Sequence, residues 1–178
     1  METSLSYPVG IFKAPDTITQ AHLVKWIKTI EGFPASIERL VQGLSSDQLQ
    51  WRYRPEGWTI HQVIHHCSDS HMNALTRFKW ALTEDNPVIK PYEEALWAEL
   101  PDTRDLPIEI PLSLLKALHV RWAHLLRRLT PKELNRTFIH PADQSTLTLA
   151  ENIGKYDWHC RHHFSHIMQA IDAAGQYQ

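Results

Sequence analysis

Apolar residues recur at helical spacing through four long stretches of this chain, and no stretch sustains the alternation of a half-buried strand. The first stretch predicts a helix from about Thr19 to Leu44, with a kink or break where Gly32 and Pro34 interrupt it. The second opens at Thr59, which forms a capping-box pattern with Gln62. Ile60, Val63, Ile64, Cys67, His71, Leu75, Phe78 and Leu82 keep its stripe, and the helix should stop near 83–86, before Pro87. A third helix is expected over Leu112–Leu129, carried by Leu115, Leu118, Trp122, Leu125 and Leu129. The fourth opens on a second capping box, Thr148 with Glu151, and runs to about Ala174 with Gly175 as its C-cap.

The connections are long. Residues 1–18 carry Pro8, Gly10 and Pro15 without helical period, which predicts an extended arm lying on the domain. A helical turn is expected at Ser45–Leu49, then an irregular stretch over Gln50–Trp58. Residues 86–111 hold five prolines and leave room for a helical turn at Glu93–Leu100. Thr130 and Pro131 start a short helix, with proline in its favoured first position, and Asn135–Leu147 reads as irregular. The run Leu44–Leu49 echoes Leu129–Leu134, and each is followed by a Thr-x-x-Gln/Glu cap and a long helix bearing histidines. Two similar helix-pair halves result. The expectation is an all-α fold, a four-helix bundle with long crossover connections and little or no sheet, in a single domain across 1–178.

Composition narrows the function. A net charge of −2 and no basic stripe argue against a nucleic-acid partner and against docking on an anionic membrane. No apolar run is long enough to span a bilayer, and residues 1–15 lack the pattern of a signal peptide. Two cysteines make no disulfide framework, so a cytoplasmic location is expected. Twelve histidines are present, and eight of them fall within 61–71 and 159–166.

Placement gives those eight their meaning. In the last helix His159 and His163 lie one turn apart at the edge of the apolar stripe, so both imidazoles can address one ion. His162 and His166 form a second such pair, rotated further from the core. Two histidines need a third ligand, and the window holding His61, His65, His66 and His71 supplies it; the helical wheel does not choose among them. His22, His119, His124 and His140 stand alone and read as surface or satisfied core residues. Cys67 and Cys160 sit on the apolar stripes, as small core residues do. Neither histidine helix shows the Glu-x-x-His pairs of a di-iron bundle, and there is no Cys-x-x-Cys-His haem motif.

The run Gly57–Asn73 (Gly-Trp-Thr-Ile-His-Gln-Val-Ile-His-His-Cys-Ser-Asp-Ser-His-Met-Asn) resembles the YfiT branch of the DinB superfamily. So do Ser6–Gly10, Arg77–Lys79 with Pro91-Tyr92, and Trp158–Ile167, so that the likeness spans essentially the whole chain. The resemblance implies an up-down-down-up bundle with pseudo-twofold halves and a homodimer. It also implies one divalent metal, zinc or nickel, on three histidines that fall here on His66, His159 and His163.

Three neutral ligands leave a coordination position open, the catalytic arrangement. Members of this branch are described as metal-dependent hydrolases, and a small-molecule substrate is expected, whereas relatives elsewhere in the superfamily are transferases or isomerases that use a low-molecular-weight thiol. In the first case the ion would acidify water; in the second it would hold a thiolate. The Glu that follows the first His of protease-like motifs is missing here, where Cys160 stands. Asp69, His71, His162 and His166 are candidate bases or supporting groups. A metal-binding protein without turnover is the remaining class. It predicts no cleft beside the ion, whereas Tyr53, Arg54, Trp58 and Trp97 are aromatic and basic residues that could line one.

Overall fold

A computed structural model describes residues 5–142 and 144–177. The part of the predicted arm that falls on residues 1–4 lies outside the described residues. Four long helices form as the periodicity requires: α1 (Gln20–Val41), α3 (Ile60–Thr83), α6 (Glu109–Leu126) and α8 (Leu149–Asp172). Short helices mark the crossovers: α2 (Ser46–Leu49), α4 (Glu94–Trp97), α5 (Pro101–Asp105) and α7 (Pro131–Leu134). Both predicted capping boxes are present, and Thr19 with His22, Ser45 with Gln48 and Thr130 with Glu133 add three more. Each satisfies two otherwise orphaned backbone donors at a helix start.

The bundle is a ring in which α1 touches α6 and α8, and α3 touches the same two. Helices consecutive along the chain therefore face each other across a diagonal in each half, α1 with α3 and α6 with α8. Cross-contacts give the directions. Glu38 pairs with Lys116 and Glu31 with Arg127, so α1 and α6 are antiparallel. His66 meets His163 while His71 meets His159, so α3 and α8 are antiparallel. His71 with His119 and Phe78 with Trp122 set α3 parallel to α6. Trp26 lies beside Gly154, and Phe33 shares a groove with Cys160, which sets α1 parallel to α8. The order is up-down-down-up. Long crossovers follow from this wiring, because a short loop cannot carry the chain across a diagonal.

Ile30, Ile64, Phe78, Leu115, Trp122 and Ile153 fill the centre and are fully buried. None of the described helices is long and apolar enough to cross a membrane.

Several expectations need correction. α1 runs without a break through Gly32 and Pro34, and the Ile30 carbonyl that Pro34 cannot bond accepts instead from His119. The segment that reads as irregular contains a hairpin, β1 (Thr137–His140) paired antiparallel with β2 (Ser145–Thr148), in the register Thr137↔Thr148. The hairpin is tied to the long crossover by Ile89 N–H donating to the Ile139 carbonyl and Ile139 N–H to that of Pro87. α6 starts three residues earlier than predicted and ends at Leu126, with Ile108 as its N-cap. Pro101 opens a helix within the proline-rich connection, where only the turn at Glu93–Leu100 is expected. Ala173, rather than Gly175, caps α8; Ala174 and Gly175 then both adopt positive φ. The arm is not extended throughout, since residues 5 and 6 are helical and Gly10 N–H closes a turn on the Tyr7 carbonyl.

The α1–α8 contact depends on a small residue. A Cβ on Gly154 would stand 3.0 Å from the rigid Trp26 ring and 3.2 Å from Phe12, whereas one on Gly32 would meet nothing within 4 Å. Gly154→Leu should therefore destabilise the fold by about 1–3 kcal/mol through overpacking. Gly32→Ala, at an open position of α1, should stabilise it by roughly 0.5–1 kcal/mol. Denaturant midpoints of the two variants check the opposite signs.

Candidate metal centre

Helix α3 is wedged between α6 and α8, so even its polar residues turn inward: His65, His66, Ser68, Ser70 and His71 are all buried. α8 contributes His162, His163 and His166 to the interior, while His159 keeps partial exposure. Where these helices face each other, one ligand atom each from His66, His159 and His163 lies within 4.8 Å of the other two. Ring centroids are 4.4 Å apart for His159 and His163, 4.8 Å for His66 and His163, and 5.5 Å for His66 and His159.

The structure also shows what occupies the other histidines of α3. His61 and His65 both hydrogen-bond the Leu106 carbonyl, at 3.0 and 3.2 Å, beyond the C-terminal end of α5. His71 lies between His119 and His159, at 2.7 and 3.0 Å. His66 packs on Trp58, with ring centroids 4.7 Å apart, and is the one member of the window that turns toward both His159 and His163. Of the four histidines in this window, His66 is the one whose ligand atom converges with those of His159 and His163 among the described residues.

A second group of three, His162, His163 and His166, also has converging ligand atoms. His166 stacks on Tyr53 at 3.8 Å and bonds the Ser6 carbonyl at 3.2 Å; His162 stacks on Trp158 at 4.5 Å. Asp69 belongs to neither group; it is half-buried on α3, and burial, with the charge of Asp102, raises its carboxyl to about 6. Of the residues expected to line a cleft, Tyr53 serves His166, Trp58 serves His66 and Trp97 packs on Tyr92.

Burial decides the protonation of the cluster. It lowers His66 to about 4, helped by the nearby His162, and holds His159 and His163 well below the ordinary histidine range, helped by their histidine neighbours. These rings are neutral at pH 7, as metal ligands must be. Burial pushes the thiols of Cys67 and Cys160 up, so they remain protonated core residues.

A cleft of about 300 Å³ opens against His159, lined also by Ser70, Arg77, Tyr92, Glu94, Lys155 and Tyr156. The helical wheel gives no sign of it, because Tyr92 and Glu94 come from the proline-rich crossover. The partial exposure of His159 gives this cleft its floor.

Comparison with known proteins agrees with this architecture. The sequence profile of the DinB superfamily matches residues 29–167. A relative from Oceanobacillus iheyensis, named "Putative metal-dependent hydrolase", is 51% identical over 161 residues, covering 90% of this chain and 92% of its own. The protein of the same description called YfiT, from Bacillus subtilis, is 43% identical over 166 residues and 93% of each chain. The solved structure of YfiT, described as a "probable metal-dependent hydrolase with an unusual four-helix bundle topology", superposes with a TM-score of 0.93 over 97% of this chain and 98% of that one, at 42% identity. The diagonal wiring, the convergent histidines and the extent of these matches lead to one assignment: the chain belongs to the DinB superfamily.

Proposed function

We propose that this protein is a metal-dependent hydrolase that holds one divalent ion, zinc or nickel, on His66, His159 and His163 and acts on a small polar substrate. One observation carries the reading: three neutral imidazoles from two helices converge beside an open cleft that reaches one of them, His159. Relatives that match over nine-tenths of the chain and are named as metal-dependent hydrolases support it. When bound, an ion on such a donor set supplies Lewis acidity, polarising a substrate oxygen and lowering the pKa of water. A structural zinc site would be closed by a fourth protein ligand.

The chain's own residues shape the rest. Arg77 and Lys155 bring positive charge to the cleft, and Glu94 brings a carboxylate that burial raises, against the pull of Arg77 and Lys155. Such walls suit a substrate with separate acidic and hydrogen-bonding groups. Asp69, whose carboxyl burial raises to about 6, is the proton carrier we assign, with His162, which burial lowers to about 4 and which lies beside His163 with ring centroids 4.9 Å apart, second. His166 is engaged by Ser6 and His163. We place the protein in the cytoplasm as a homodimer. A thiol-transferase reading would need a small-molecule thiol from outside, because both cysteines are buried.

Metal content by mass spectrometry tests the ligand set. The wild-type chain should carry one ion, His159→Ala should lose it, and His162→Ala and Asp69→Asn should keep most of it. Equal loss in His159→Ala and His162→Ala would overturn the assignment. A cobalt-substituted sample should show no thiolate charge-transfer band with bacillithiol, mycothiol or glutathione; a strong ultraviolet band with one of them would replace hydrolysis by thiol transfer.

Acid should act on the fold itself. Eight histidines are held below the ordinary value of 6.5, chiefly by burial. Well above pH 6.5 these groups are neutral in both folded and unfolded chains and add no pH dependence. Below 6.5 the unfolded chain takes up protons that the folded chain refuses, so stability falls as pH drops from 6.5 to about 4. For a fully buried ring, a tenfold weaker hold on its proton costs roughly 1.4 kcal/mol of stability in acid. Chelator-treated protein should therefore show a denaturation midpoint that declines slightly from pH 8 to 7 and falls steeply below 6.5. A level midpoint down to pH 5 would contradict a neutral buried cluster.

A further inference from the structure

Pro34 has no N–H, so the Ile30 carbonyl lacks the donor that the helix would normally supply. The Nδ1 of His119, across the bundle on α6, lies 2.5 Å from that oxygen. A carbonyl can only accept, so His119 Nδ1 carries the proton and its Nε2 is left as an acceptor. His71 Nδ1 stands 2.7 Å from His119 Nε2 and must donate to it. His71 Nε2 is then the acceptor, and the Nδ1 of His159, 3.0 Å away, donates in turn. What remains on His159 is an Nε2 lone pair, toward which the Ser70 hydroxyl points from 3.3 Å.

A second and shorter chain ends on the other α8 histidine. His166 Nε2 is 3.2 Å from the Ser6 carbonyl and must donate to it. His166 Nδ1 therefore accepts, and the facing Nδ1 of His163, at 3.4 Å, supplies the proton. His163 is left with its Nε2 lone pair. Tyr53, stacked on His166 with planes 12° apart, holds the ring of the intermediary.

We propose that these two histidine relays, each anchored on a backbone carbonyl, lock His159 and His163 in the Nδ1–H tautomer so that both present Nε2 to the ion. This extends the metal-centre reading above, but the tautomers themselves exist without any ion. The longer relay requires a neutral His71. That ring is fully buried among Phe33, Trp122 and Tyr156, with no carboxylate paired to it among the described residues, and a bare cation there would be prohibitively costly. His71, His119 and His166 are thus positioning residues. His66 has no such relay: its ring is held by Trp58, and no hydrogen bond fixes it among the described residues. Two ligands are set in orientation by hydrogen bonds before the ion arrives, and the third by packing. Partners of this kind on metal-bound histidines are typically worth about 10–100-fold in affinity.

Metal-free protein labelled with ¹⁵N at histidine gives the test by long-range ¹H–¹⁵N correlation at pH 8. His119, His71, His159 and His163 should each show a protonated Nδ1, and His166 a protonated Nε2. A protonated Nε2 on His159 or His163 would overturn the proposal. In His71→Phe the signals of His159 should move to a mixture of tautomers while those of His163 stay in place; a mere packing role for His71 would leave His159 unmixed. Zinc affinity by competition with a chelator should fall about 10–100-fold in His71→Phe, and unchanged affinity would again count against the relay. If wild-type protein binds no zinc but shows the expected tautomers, the metal assignment fails and the relays stand.

Discussion

Imidazoles buried together without carboxylates must all be neutral, and that requirement governs the interior where α3 meets α8. A proton placed on the fully buried His71 would find no paired carboxylate among the described residues and little water, whereas His159 reaches the cleft that Glu94 lines. The bundle therefore arranges His71, His159 and His163 so that each ring proton is shared with an acceptor. It does so by passing hydrogen bonds outward from the centre until they end on backbone carbonyls, at Ile30 and Ser6. Packing around the cluster serves the same end: Phe33, Trp122, Tyr156, Tyr53 and Trp58 are the walls that keep water away and hold the rings in plane.

This arrangement distributes the work between elements that are far apart in the chain. The arm reaches α8 through the Ser6 and Leu5 carbonyls and through Trp158, whose indole donates to the Gly10 carbonyl. α1 and α6 contribute no candidate ligand, yet they close the longer relay. The crossover between α3 and α6 supplies Tyr92 and Glu94 to the cleft, and it is itself pinned by the hairpin through Ile89 and Ile139. A bundle of four bare helices would hold the histidines but would leave the cleft without its outer wall.

Much of this is legible in the sequence, and the parts that are not have physical reasons. Long helices are visible because 3.6-residue periodicity accumulates over many residues, and their starts are visible because Thr59 and Thr148 carry complete capping boxes. The hairpin is missed because its strands have four residues each and its turn uses Gln144 rather than glycine at positive φ. Likewise Ala174 takes the left-handed position that usually announces itself as glycine. The His159 and His163 pair follows from spacing on one helix. His66 does not, because α3 is buried nearly all round and every histidine of its window looks equally eligible; the resemblance to the YfiT branch points to it, and the Leu106 and His119 contacts show how His61, His65 and His71 are engaged instead. His119 reads as an isolated core histidine, and Pro34 as a helix breaker. Each anomaly makes sense only when the two are seen to satisfy one another across the bundle.

The diagonal wiring bears on how the chain comes to have this shape at all. In an ordinary up-and-down bundle, successive helices can zip together as soon as both are made. Here neither α1 with α3 nor α6 with α8 forms a major contact; the extensive interfaces join helices from different halves. Nucleation must therefore wait for partners separated by long stretches of sequence, and loop-closure entropy is spent before packing repays it. The protein should fold more slowly than its helical content suggests, and α8, made last, completes two of the four major interfaces as it docks.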